Sequence, residues 1–384
     1  MLMLCGVFGV ATILLYAAGE VRRGYPEAAA SVRTYGNLAA DPVACRVLVA
    51  VAWLLLTLVV GLRSWDVGTD SLMYARQFVP DFSTSRVYTS PGYTLVCLVF
   101  STISRDLWPL LFLLMAGATF WLLMRIVWEQ SPVPWLSFFI LLCFGFLLET
   151  VNQYRQMFAV IMVLYALRYL DGRRTRRFVA LVIVAASVHL TALLALSFPL
   201  LKELRLTSRL MFFSLPVAFL ACLVLVPLLR GVLSHVPYFG YYVGSSHDEG
   251  LELSSLAVLL FRIGLFVAVV LLGRKASERV EGVPSIGGLV GILYGGMLVQ
   301  CCAASFHLAA RLATYFAAVF ALAIPRILVC IAERRVRVGM LVLVLVAFSL
   351  LFVGTLSLKD YSDYSYSFVW QRTTDVSLVL RPTP

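Results

Sequence analysis

Residues 2–18 form an apolar run without a single charge, and runs of the same kind recur along the chain as far as residue 356. About 20 apolar residues are what a helix needs to cross a bilayer. Basic clusters lie between the runs: Arg22, Arg23, Arg33 and Arg46, then Arg173 to Arg177, then Arg274, Lys275 and Arg279, then Arg334, Arg335 and Arg337. That arrangement is what the positive-inside rule produces on the cytoplasmic side of a membrane. The fold class is therefore all-α, a polytopic integral membrane protein of about 10–12 transmembrane or partly spanning helices. Composition agrees, with 61% hydrophobic and 13% charged residues and a mean hydropathy of +0.93, far from soluble domains. A net charge of +11 would suggest nucleic acid in a soluble chain; here the loops account for it, and nucleic acid is excluded as a partner. Cys5, Cys97, Cys143, Cys222, Cys301 and Cys302 fall inside apolar runs and read as small core residues, without disulfide or metal spacing.

The first run is followed by its positive charges rather than preceded by them, so it reads as an uncleaved span with its basic end in the cytoplasm. Residues 47–62 return the chain to the outer face; residues 91–104 are too short to cross comfortably, and 107–128 and 135–148 are the next spans. Residues 157–169 lead back to the basic knot at 171–177. The run 178–201 is basic at both flanks, so either the charge rule fails at one of them or the run folds back with His189 near its turn. Spans follow at 210–229, 256–272, 286–304, from Phe306 to the basic residues at 334, and at 340–356. The expected organisation is a single membrane domain, 1–358, with outer loops at 63–92 and 231–254 and an aromatic-rich outer tail at 359–384.

Two stretches break the apolar pattern. In the first outer loop Arg63, Asp66, Asp70 and Arg76 cluster, with Gly68 for a sharp turn and Thr69 as the cap of a short helix from Asp70, its apolar positions Leu72, Met73, Ala75, Phe78 and Val79. That describes an amphipathic helix at the interface, with Tyr74 one turn from Asp70. A simpler reading makes Asp70 the negative charge that a helix N-terminus favours. In the second stretch Glu149, Asn152 and Gln156 share one helical stripe, with Arg155 beside Asn152. Lipid offers such a stripe no partner, so it must face protein or water. Further along, Arg311 and Tyr315 stand one turn apart near the outer end of their span, and His189 is a lone histidine among apolar residues. Arginines near lipid need anions, and a guanidinium pairs bidentately with phosphate. Their convergence suggests a lipid-linked phosphate or pyrophosphate; the alternative is structural pairing, Arg63 with Asp66 and Arg155 with Glu149.

Arg63 with Gly68, Thr69, Asp70 and Tyr74, then Arg155-Gln156 before an apolar helix, His189-Leu190-Thr191 after a basic turn, and Arg311 with Tyr315-Phe316 resemble the EpsG and Wzy-like polysaccharide polymerases, in order and rough spacing from about residue 54 to 327. The resemblance implies a GT-C-like membrane glycosyltransferase of exopolysaccharide, capsule or O-antigen assembly. Its substrates would be oligosaccharide repeat units on undecaprenyl pyrophosphate, joined at the outer face of the bacterial inner membrane. Membrane lipid and a chain-length regulator protein would be partners, and no cofactor or metal would be required. One departure is that Ser90 precedes Pro91 where family members commonly carry an acidic residue. No role tied to that acid carries over.

On this reading Arg155, Arg311 and Arg63 would face the departing pyrophosphate, and Asp66, Tyr74, Glu149, Asn152, Gln156 and Tyr315 would line the substrate. Asp70 or His189 would take the proton of the attacking hydroxyl. An ordinary histidine titrates near 6.5, whereas a carboxylate must be desolvated to approach that value; position favours Asp70. His189 also fits a hydrogen-bonded core histidine. Two other functions fit the same charges. A transporter of lipid-linked sugars would show repeated halves, which this chain lacks to the eye, and a glycosyltransferase with a polyprenyl-monophosphate donor would differ only in product length.

Overall fold

A computed structural model describes residues 2–24, 38, 40–80, 82, 90–170, 174–204, 206–233, 253–273, 285–303, 306–358 and 366–371. Helices dominate, and no strand occurs among the described residues. Eight helices are long and apolar enough to cross a membrane, or nine if a bent pair counts as one span, and shorter apolar helices occupy Pro91–Ile103 and Leu190–Leu201. The protein is a multi-pass membrane protein. Residues 234–252 of the expected outer loop at 231–254 and most of the tail lie outside the described residues. The chain divides into two compact units, Met1–Leu193 with Glu333–Pro384, and Leu194–Ala332.

In the first unit α1 (Leu2–Arg23) lies along α2 (Val43–Gly61), and α2 along α5 (Trp108–Glu129). On α1 the buried residues are Leu4, Phe8, Ala11, Leu15 and Ala18. Spaced by three and four, they make one helical face, while Val10, Ile13 and Tyr16 point outward, as lipid-facing residues do. Between α2 and α5 come the six-residue α3 (Ser71–Arg76) and the thirteen-residue α4 (Pro91–Ile103). Pro91 opens α4 at a position where its missing N–H costs nothing. The next span is broken: α6 (Pro134–Cys143) and α7 (Phe146–Asn152) meet at 58°. The break falls at Gly145, whose φ of +80° is left-handed. A second break at Gln153 separates α7 from α8 (Tyr154–Ala166). α9 (Thr175–Val188) packs on α8 and α4.

In the second unit, α10 (Phe198–Leu201), α11 (Ser208–Leu233) and α12 (Leu253–Gly273) surround α13 (Ile286–Ala303), followed by α14 (His307–Ala317) and α15 (Phe320–Cys330). Close approach is possible because α13 is glycine-rich: a Cβ at Gly291 would sit 2.1 Å from the carbonyl oxygen of Leu201. The candidate span Ala309–Cys330 is 83% buried within the protein, whereas α16 (Arg334–Leu358), in the first unit, is 6% buried over its span. Few residues of α16 are fully buried, Val344 and Phe348 among them.

Two local expectations fail. Glu149, Asn152 and Gln156 do not share a helical stripe, because the helix stops at Asn152 and restarts at Tyr154. Thr69 does not cap α3; its hydroxyl bonds Asn152 instead, and α3 ends at Arg76, short of Phe78 and Val79. The apolar side of α3 packs on protein: Tyr74, Ala75 and Phe78 are buried in a cluster with Tyr93, Trp108, Phe112 and Tyr154, while Arg76 is exposed. The 178–201 run is interrupted at His189: α9 ends at Val188, His189 is extended at φ −148° and ψ 109°, and a 3-10 segment Leu190–Ser197 follows. With a break there, His189 occupies the discontinuity of the run.

Candidate active site

Immediately after α2, Arg63 is 1% exposed. Its Nη1 donates to the carbonyl of Val60 at 2.6 Å, one of the last carbonyls of α2, and its Nε donates to Ser71 Oγ at 3.3 Å. The guanidinium carbon lies 4.5 Å from the centroid of Phe112 and 5.6 Å from that of Tyr154. Taking a charge out of water costs several kcal/mol. Two aromatic faces offset this by about 1–2 kcal/mol each when desolvated, and the negative end of a helix by up to about 2 kcal/mol. Burial lowers the pKa to about 10, against the opposing influence of nearby tyrosines, so the group stays charged at neutral pH. Arg63 is thus an enclosed cation that fixes the start of the following loop against α2.

The same loop is held from two further sides. Gly68 (φ +88°) turns it onto the end of α7, where an added Cβ would lie 3.2 Å from the carbonyl of Val151. Asn152 Oδ1 accepts from the Thr69 hydroxyl at 2.8 Å and from the Asp70 amide at 2.9 Å, while its Nδ2 donates to Glu149 at 3.4 Å. Ser71 Oγ donates to the Val151 carbonyl at 3.2 Å. Opposite, the C-terminal segment pairs with the loop in an antiparallel bridge between Arg63 and Phe368. Ser64 N donates to Ser367 O and Val369 N to Leu62 O, each at 2.9 Å, and Ser367 Oγ donates to Asp66 Oδ1 at 2.8 Å. Tyr366 donates its hydroxyl to the Val59 carbonyl, and burial raises its pKa to about 12.

Arg155, in the first turn of α8, lies over Tyr93, its guanidinium carbon 4.3 Å from the ring centroid, with Tyr74 at 5.8 Å. Its Nη2 donates to Ser90 Oγ and, at 3.3 Å, to the carbonyl of Val188. The Nε is buried and has no hydrogen-bond partner. Neither Arg63 nor Arg155 forms an ion pair among the described residues, so neither the Arg63–Asp66 nor the Arg155–Glu149 pairing occurs. On this side the guanidinium meets a neutral hydroxyl, that of Ser90. A half-buried guanidinium with a fixed plane has the geometry to pair bidentately with a phosphate or carboxylate.

The two arginines are joined by aromatics. Tyr154 stacks edge-on with Tyr74 at 4.4 Å and lies 5.2 Å from Phe112, and its hydroxyl is hydrogen-bonded to that of Tyr93. The first unit therefore brings together Arg63, Asp66, Asp70, Tyr74, Glu149, Asn152 and Arg155, while Gln156 is buried at 2% exposure in α8. Val188 places the segment of His189 beside Arg155. Arg311 and Tyr315 sit on α14 of the second unit, Arg311 half-buried and Tyr315 buried. Ser90, Tyr93, Phe112 and Tyr154 did not stand out in the sequence. Tyr154 was marked only by adjoining Arg155, and Ser90 only as the departure before Pro91.

The EpsG family model matches residues 46–368. The chain belongs to the EpsG family. The match takes in Arg63, the α7–α8 break, the His189 segment, Arg311 and the bridge to Phe368, and EpsG membership supports a polysaccharide polymerase-like role in polysaccharide biosynthesis. No curated protein and no solved structure matches this EpsG chain.

Proposed function

We propose that this protein is a glycosyltransferase that joins undecaprenyl-pyrophosphate-linked oligosaccharide repeat units into a bacterial surface polysaccharide, acting at the outer face of the inner membrane. The observation that carries the reading is Arg155, a cation oriented by Tyr93, Ser90 and Val188 with no carboxylate to neutralise it. In the reaction a sugar hydroxyl of one lipid-linked unit attacks the anomeric carbon of the chain carried by another. The bond from that carbon to the pyrophosphate oxygen breaks, and the bonding pair leaves with the pyrophosphate. Negative charge grows on the departing oxygen, where Arg155 stabilises it. Arg63, enclosed as it is, acts as a positioning residue for the loop that carries Asp70. Asp70 takes the hydroxyl proton in this scheme, with Asn152 fixing its backbone, and His189 is the other candidate base. A chain-length regulator protein is the expected partner.

The test supplies purified protein in nanodiscs with an undecaprenyl-pyrophosphate-linked repeat unit and no nucleotide sugar. A ladder with rungs one repeat apart is expected, and Asp70→Asn should stop it while leaving lipid substrate bound. A transporter would give no ladder, and a monophosphate-donor transferase would add one sugar and stop; either result overturns the reading. A ladder that survives Asp70→Asn and fails with His189→Gln moves the base to His189.

A further inference from the structure

At the other end of α2 and α5, far from Arg63, the first unit carries a groove of about 320 Å³. Seventeen residues of mostly helical chain separate Arg46 from Arg63, which is about 25 Å at 1.5 Å per residue. The groove walls are Val49, Trp53 and Trp121, and its rim is Arg46, Arg125 and Glu129. Trp53 is pinned: its indole N–H donates to the carbonyl of Gly117 on α5 at 3.0 Å, and its ring meets Trp121 edge-on at 5.9 Å. The apolar wall is therefore formed before anything enters it. It opens toward lipid, since Trp121 is 45% exposed and the neighbouring Val47, Val51 and Leu54 are exposed as well.

The rim has a surplus of positive charge. Glu129 is shared between Arg125 and Arg168, both of which form ion pairs with it. One carboxylate thus answers two guanidiniums, and Arg46, exposed at the groove mouth, adds a third. An apolar slot at membrane depth with a cationic rim at its end matches the shape and charge of an anionic phospholipid, acyl chain inward and phosphate outward. Tryptophan at such a depth suits the boundary between the two. We infer that the groove between α2 and α5 binds an anionic phospholipid, its phosphate on Arg46 and Arg125 and one acyl chain against Trp53 and Trp121. The site lies at the opposite end of the helices from Arg155 and does not depend on the proposed reaction.

The test uses native mass spectrometry of the full-length protein, delipidated in detergent and titrated with phosphatidylglycerol or with phosphatidylcholine of the same chains. Phosphatidylglycerol should be retained at least about tenfold more tightly, the worth of one charge-assisted contact. Arg46→Gln with Arg125→Gln should remove that preference, while Glu129 keeps Arg168 as its partner and the fold is retained. Trp121→Ala should weaken both lipids by shortening the wall. Arg46→Gln alone, at an exposed side chain, gives a partial loss if the inference holds and keeps the test open should the double variant misfold. Equal binding of the two lipids, or a preference unchanged in the arginine variants, overturns it.

Discussion

Arg155 lies across the ring of Tyr93, and the Tyr93 hydroxyl is hydrogen-bonded to Tyr154, the residue immediately before the arginine. The backbone of α8 and the ring of α4 thus fix the guanidinium from two sides. A side chain held in this way loses little entropy when it meets an anion.

Arg155→Ala should abolish long-chain polysaccharide in cells, a rate loss of roughly 10²–10³, the usual cost of removing a charge-assisted donor from a developing oxyanion. The folded protein should still accumulate in the membrane, because Arg155 is half-buried and no ion pair is broken. Arg155→Lys should restore activity only in part: the Nη2 that bonds both Ser90 and Val188 belongs to a planar fork, which an ammonium does not reproduce. Chain-length distribution on gels reads the outcome, and a normal distribution in Arg155→Ala removes the residue from the mechanism.

Asn152 and Gly68 hold the Asp70 loop by different means, and their variants should separate accordingly. Asn152→Ala removes the acceptor for the Thr69 hydroxyl and the Asp70 amide, a loss of about 1–3 kcal/mol if the amide is left unsatisfied. Gly68→Ala forces a side chain into a left-handed turn 3.2 Å from a backbone oxygen, costing about 1–2 kcal/mol or more. Both should lower turnover more than substrate retention, and Asn152→Asp, which keeps the acceptor, should retain more activity than Asn152→Ala. Equal activity of Asn152→Ala and the parent would show that the anchor is dispensable.

Truncation after Leu358 should leave the protein inserted but inactive. The segment 366–371 follows the last span and supplies three backbone and side-chain partners to the outer loop, at Leu62, Ser64 and Asp66. Without them the loop keeps only Arg63 and its α7 anchor. Ser367→Ala is the milder test: it removes the bond to Asp66 alone and should cost about 0.5–1.5 kcal/mol of loop stability. Protease accessibility of the loop at Arg76, an exposed arginine, reports this apart from activity. A truncated protein of full activity would overturn the role.

Much of the architecture was legible because bilayer crossing leaves a compositional trace. α1, α2, α5, α12 and α13 each lie within a few residues of an apolar run readable in the sequence. What escaped was the interruption of helices. The break at Gln153 has no proline or glycine; Asn152, where α7 ends, bonds Thr69 and Asp70, 83 and 82 residues away in the chain. Such a tertiary contact leaves no local signature. Arg63 was legible as an unusual arginine but not as a buried one, since its aromatic partners Phe112 and Tyr154 come from helices distant in sequence. The bridge between Arg63 and Phe368 spans nearly the whole chain and has no periodicity to betray it.

The proposed orientation in the membrane is open to a direct labelling test. Arg22, Arg46, Arg168, Arg174, Arg176 and Arg177 stand at one set of helix ends, those of α1, α2, α8 and α9, whereas the loop carrying Asp70 begins at the other end of α2. The positive-inside rule puts the first set in the cytoplasm. In a cysteine-free background, a membrane-impermeant thiol reagent applied from outside should therefore label Arg76→Cys, and leave Arg174→Cys and Arg335→Cys unlabelled until the membrane is opened. All three positions are exposed, so burial does not confuse the result. Reaction of Arg174→Cys from outside would place the Arg155 site on the cytoplasmic face. A lipid-linked substrate presented at the outer surface could then no longer reach it, and the proposed polymerisation would fall with the orientation.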